Sequence, residues 1–152
     1  MGTRYTGTKS EMRALNAYIK FLRASESVTA RLTALVMAQT GLTISQFGVL
    51  ESLLHLGPMC QKEIAQKQLK SGGNMTLVID NLEKRELVRR ERSQEDRRLV
   101  IVNLTSSGKK LISDYFPKHA REIEQEMSPL TAAEQNKLAE LAKKLGLQTT
   151  RQ

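Results

Sequence analysis

From Ser10 to Gln39 the apolar residues Leu15, Tyr18, Leu22, Leu32, Leu35 and Val36 recur at alternating three- and four-residue spacings, with Ile19 and Val28 on the flanks. That period gathers side chains on one face and predicts a long helix with an apolar seam. Gly41 is placed to stop it in the left-handed conformation that a Cβ resists. Thr43-Ile44-Ser45-Gln46 is a capping box, flanked by a Leu42/Phe47 staple, and opens a second helix that reaches about Leu56 before Gly57-Pro58 ends it. A short helix follows over Cys60 to Gln68, then a turn from Leu69 to Gly73. The next helix carries Met75, Val78, Ile79 and Leu82 on one face. Two short helices joined in this way make a helix-turn-helix.

The period then changes from helical to alternating. Residues 87–92, a polar tip from Ser93 to Asp96, and Arg97 to Leu104 predict a β-hairpin, which we term the wing. Thr105 can cap a further helix whose stripe, Leu111, Ile112, Tyr115 and Phe116, reaches Ile123 and Met127 past an expected kink at Pro117. Thr131 and Glu134 form a second capping box, opening a last helix with Leu138, Leu141, Ala142 and Leu145 that closes at Gly146. The predicted order is α-α-α-α-β-β-α-α, a mainly α (α+β) fold. It consists of a winged helix-turn-helix over 42–104 between long terminal helices, 10–40 and 105–147.

With 152 residues the chain suits one compact unit with a real core, and it needs neither disulfide nor structural metal to fold. Its 24 Lys and Arg against 16 Asp and Glu leave a net charge of +8, which fits a polyanionic partner or an anionic membrane surface without choosing between them. A single cysteine and the absence of an apolar signal core or a membrane-length apolar run predict a soluble cytoplasmic protein with no membrane partner. His55, His119 and Cys60 lack metal-ligand spacing, so no metal or cofactor is expected. No nucleophile–base pair, phosphate loop or carboxylate couple argues for an enzyme.

The charge is concentrated. Residues 84–98 hold seven basic and four acidic side chains, a net of +3 directly after the helix-turn-helix. Such a hairpin can be a solvated, salt-bridged strand pair, or can lie along phosphates and put an arginine into the minor groove. The helix before it starts at Ser71-Gly72-Gly73-Asn74-Met75-Thr76, where paired glycines each cost about 1 kcal/mol relative to alanine. Glycines there let the helix N-terminus approach a phosphate. Ser71, Asn74 and Thr76 are short polar side chains of the kind that read base edges or phosphates, although Ser71 serves equally well as a cap. Major-groove reading is expected from Ser71 to Leu77, within a recognition helix over 71–85.

With Leu42-Thr43 and Gln46, Ile64-Ala65, Ser71 to Thr76, Asp80-Asn81-Leu82-Glu83-Lys84, Asp96-Arg97-Arg98, Leu104-Thr105 and Gly108 in place, the chain resembles the MarR family of winged-helix transcription regulators over most of its length. The resemblance implies that Asp96 buttresses Arg98, which enters the minor groove, with Arg97 and Arg92 beside it in the wing, 88–104. It also implies a homodimer through interlocked terminal helices. The apolar seam from Leu15 to Val36 and the stripe from Leu138 to Leu145 predict the same independently, being more than one small lobe can cover. Glu86 stands where the family usually has glycine, which predicts a looser turn into the wing. The family further implies an effector pocket for a small aromatic or anionic molecule between terminal helices and winged lobe, with Tyr18, Phe21, Met37, Phe47 and His55 as candidate lining.

Cys60 falls beside the start of the third helix, near Lys62, where a thiolate is favoured. It is a candidate redox site, or simply a small residue. The expected function is a dimeric, sequence-specific regulator, a repressor of a pseudo-palindromic double-stranded operator released by a ligand. The alternatives are a redox-sensing repressor acting through Cys60 and a constitutive architectural DNA binder.

Overall fold

A computed structural model describes residues 4–68 and 72–147. Its elements are α1 (Lys9–Thr40), α2 (Ile44–Leu56), β1 (Met59–Cys60), α3 (Gln61–Gln68), α4 (Gly72–Lys84), β2 (Val88–Arg92), β3 (Val100–Leu104), α5 (Ser106–Met127) and α6 (Ala132–Gly146). All six expected helices are present. Thr8, Thr43 and Thr131 each close a capping box with the Glu or Gln three residues on, and Gly41 ends α1 at φ 68°. α5 continues through Pro117. The expected turn over 69–71, Ser71 included, lies outside the described residues.

The unexpected element is β1. Two residues are too few for any periodicity, yet Met59 and Cys60 pair with Val102 and Ile101, giving a three-stranded antiparallel sheet in the order β1-β3-β2. This strand fixes the entry to α3 against the wing.

The core is built on α2, whose Phe47, Val49, Leu50 and Leu53 meet Ile64 of α3, Met75, Ile79 and Leu82 of α4, Val88 and Val102 of the sheet, and Ile112 of α5. Each such side chain, fully buried, contributes about 1.5–3 kcal/mol, so the face of α4 carrying Met75, Ile79 and Leu82 is firmly seated. α5 packs on both α1 and α2, and Arg31 joins Glu126 across α1 and α5 at 2.7 Å. α6 buries no residue within the chain. Leu138, Leu141 and Leu145 remain exposed beside Tyr18 and Phe21 of α1, across an open apolar groove of about 460 Å³.

Two expectations about the wing are corrected. The strand expected from Arg97 begins only at Val100, because Asp96 turns the chain back: its carboxylate accepts the Arg98 backbone N–H at 3.0 Å, and its carbonyl accepts the Leu99 N–H at 2.9 Å. The turn after α4 is as tight as glycine would make it. Glu86 adopts φ 57°, its N–H reaches Glu83 O at 2.9 Å, and the Leu87 N–H reaches Leu82 O at 3.0 Å. This is the Schellman pattern, closed by the apolar pair Leu82 and Leu87, and it overrides the preference of glutamate for negative φ.

Candidate nucleic-acid interface

α4 and the wing meet through Arg90. Its guanidinium lies 2.6 Å from Asp80 Oδ1 and 3.3 Å from Glu83 Oε2, and donates to Thr76 O at 3.4 Å. One β2 side chain therefore sets how the hairpin leans on the helix. Below this contact, Thr105 ties the wing's two ends together. Its hydroxyl donates to Glu86 O at 2.6 Å and accepts the Gly108 N–H at 3.0 Å, while its own N–H donates to Leu87 O at 3.1 Å.

The charge of residues 84–98 separates into two parts. Near the base, Arg85 donates to Gly41 O and Thr40 O at the end of α1, Arg89 pairs with Glu91, and Arg90 with Asp80 and Glu83. The salt-bridged reading therefore holds there. At the tip, Arg98 lies 3.1 Å from Asp96 Oδ1 through Nε and 3.3 Å from Oδ2 through Nη2, while its side chain stays 91% exposed. The buttress implied by the family resemblance is present, and it leaves Nη1 for an outside anion. Hydrogen bonds from the Arg98 side chain, and then from its backbone, hold the Asp96 carboxyl below its ordinary value. Ser93 Oγ accepts the Glu95 and Asp96 N–H groups, which orders the tip further. Among the described residues neither Arg92 nor Arg97 pairs with a carboxylate, and both are exposed. The cations thus concentrate at the end of the wing.

On α4, Gly72 and Gly73 form the first turn, whose amides have no intrahelical partner. Asn74 and Leu77 are exposed. Thr76 faces outward, but its hydroxyl accepts from the Gln61 side-chain amide, which locks the start of α3 to α4. Ser71 lies outside the described residues.

The candidate effector residues do not line one space within the chain. Phe47 is core, edge-on to Tyr115 at 5.7 Å and tilted on His119 at 4.5 Å. His55 meets Phe116 edge-on at 4.5 Å, Met37 is exposed on α1, and of the candidates only Tyr18 and Phe21 share the α1/α6 groove. The Leu42/Phe47 staple already accounts for an inward Phe47. The spacing did not single out the cluster around His119, which is buried with Nδ1 unpaired among the described residues and 3.9 Å from Glu122 Oε2. Glu122 accepts the Tyr115 hydroxyl at 2.6 Å, and burial, then that carboxylate, pushes the phenol up. Cys60 donates its N–H to Glu63 Oε2 at 2.8 Å, and hydrogen bonds from its backbone and its thiol lower the Glu63 carboxyl. Its partner is thus Glu63 rather than Lys62.

No single described helix is long and apolar enough to cross a membrane. Among the described residues no three His, Cys, Asp or Glu side chains gather as a metal site.

A helix-turn-helix with an outward polar second helix, braced against a cation-tipped hairpin, defines a winged-helix DNA-binding protein. The MarR family pattern matches residues 42–100. Over 135 residues the chain is 35% identical to the HTH-type transcriptional regulator MhqR of Bacillus subtilis, covering 89% of this chain and 92% of that one. The chain belongs to the MarR family, and it is a DNA-binding transcriptional regulator rather than an enzyme. Sco3205, a MarR family regulator from Streptomyces coelicolor solved in complex with DNA, shares the fold with a TM-score of 0.83 at 21% identity, over 98% of this chain and 95% of that one. BpsR of Bordetella bronchiseptica, whose DNA binding is regulated by 6-hydroxynicotinic acid, shares it at 0.77 and 24% identity, over 86% and 98%.

Proposed function

We propose that the protein is a cytoplasmic homodimeric repressor that binds a pseudo-palindromic operator, with α4 in the major groove and the wing tip in the minor groove. The observation that carries this reading is Arg98, held by Asp96 at the end of the wing yet 91% exposed. Ordering a cation before binding lowers the entropy lost on insertion, and a narrow minor groove attracts such a cation. The apolar faces of α1 and α6 supply the dimer surface: Leu138, Leu141 and Leu145 with Tyr18 and Phe21 form a continuous unburied patch. Two-fold symmetry then sets the α4 helices about 34–36 Å apart, one turn of DNA. A small aromatic or anionic effector releases the operator. The regulation of BpsR by an aromatic acid supports that class.

Titration of a site selected from a random DNA pool tests the reading. Arg98→Ala weakens binding by about 1–3 kcal/mol and flattens the salt dependence, leaving the fold intact. Unchanged affinity and an unchanged salt slope refute the wing assignment, and sedimentation of a 17.1 kDa species alone refutes the dimer.

A further inference from the structure

The outward side of α4 carries one large apolar side chain, Leu77, 62% exposed. Its neighbours on the helix have evident structural roles: Met75, Ile79 and Leu82 are buried, Thr76 holds Gln61, and Asp80 holds Arg90. Leu77 does little for folding, because most of its surface stays in water. It also sits three residues after Asn74, on the same face of the first turns of the helix.

Resting on the reading of α4 as the major-groove helix, we propose that Leu77 selects thymine by packing on its C5-methyl group. This methyl is the one bulky apolar group on the base edges of that groove, which otherwise present chiefly hydrogen-bond donors and acceptors. Leucine can satisfy none of the polar atoms. Pressed against guanine, adenine or cytosine it strips water from them and returns no bond, which is unfavourable. Against thymine two apolar surfaces leave water together. The side chain therefore favours one base and acts against the other three, which makes it a determinant of specificity rather than of general affinity. A protein partner seated on Leu77 would have to occupy the face that the DNA needs.

Deoxyuridine lacks only this methyl, so it isolates the contact. After an operator has been selected from random DNA, each thymine of the half-site is replaced in turn by deoxyuridine and affinities are measured. The wild type loses about four-fold at one position per half-site, the value of one buried methyl, and is indifferent elsewhere. Leu77→Ala abolishes the loss at that position, with a thermal midpoint within about 2 °C of wild type, as expected for an exposed site. Indifference of the wild type to every replacement while sequence-specific binding persists overturns the proposal. So does a Leu77→Ala variant that keeps the same penalty. Failure to select any sequence at all overturns the reading of α4 itself, and is distinguished because no half-site then exists to substitute.

Discussion

Gly108 lies in the first turn of α5, where alanine would ordinarily be the better residue by about 1 kcal/mol. The structure reverses that sign. A Cβ at Gly108 would lie 1.9 Å from Leu87 O and 2.8 Å from Leu87 C, both backbone atoms that no rotamer change can move. The α5 N-terminus and the turn into β2 would have to separate by about 1 Å to reach even a tight contact. Leu87 O is also the acceptor for the Thr105 N–H, and Thr105 Oγ1 bonds Glu86 O, so the movement lengthens or breaks bonds worth about 0.5–1.5 kcal/mol each. Adding the usual overpacking cost of about 1–3 kcal/mol and subtracting the helix-propensity gain, Gly108→Ala destabilises by about 1–5 kcal/mol. Urea unfolding at a fixed protein concentration measures it. Gly146→Ala is the control: nothing lies within 4 Å of its Cβ, and it is neutral or slightly stabilising. A Gly108→Ala protein as stable as wild type would refute the argument, showing that the base of the wing has slack.

Glu86→Gly removes the cost of a left-handed glutamate and stabilises by about 1 kcal/mol; a lower denaturation midpoint would contradict the Schellman assignment. Arg90→Met unties the wing from α4 and weakens specific DNA binding at least ten-fold, with a stability loss of no more than about 1 kcal/mol because the pair is partly exposed, and parallel titration and melting separate the two effects. The Asp96 carboxyl is held below its ordinary value by Arg98, so its folded-state contribution is present above the unfolded value of about 3.9 and is lost only as pH falls through the lower folded value. A carbon-detected NMR titration of Asp96 with a midpoint at or above 3.9, or one unaltered by Arg98→Ala, would count against the brace.

The distribution of ion pairs bears on how the protein reads DNA. Arg89 and Arg90 are paired with carboxylates of the chain and the Arg85 guanidinium is held by backbone carbonyls, so they are less available to phosphates than Arg92 and Arg97 and than the braced but 91% exposed Arg98.

Features that depend on near neighbours in the chain could be read from the sequence. The helices were legible because the capping boxes at Thr43 and Thr131 and the three-four spacing of apolar residues act within a turn or two. The Asp96–Arg98 brace, which the family resemblance implied rather than the spacing, is likewise local, spanning two residues. The rest depends on contacts between segments far apart in the chain. β1 exists only because β3 offers Val102 and Ile101 as partners, and two residues carry no period of their own. Glu86 accepts a positive φ because the burial of Leu82 and Leu87 and the Thr105 bonds outweigh about 1 kcal/mol of local preference. Which arginines of the hairpin serve the fold and which face outward depended on Asp80, Glu83 and the end of α1, separated from them by up to 45 positions in sequence. Phe47, plausible as a pocket residue by type, was drawn into the core against Tyr115 and His119, because apolar rings are buried wherever a distant helix offers a matching face, whereas His55 stays exposed and meets Phe116 edge-on.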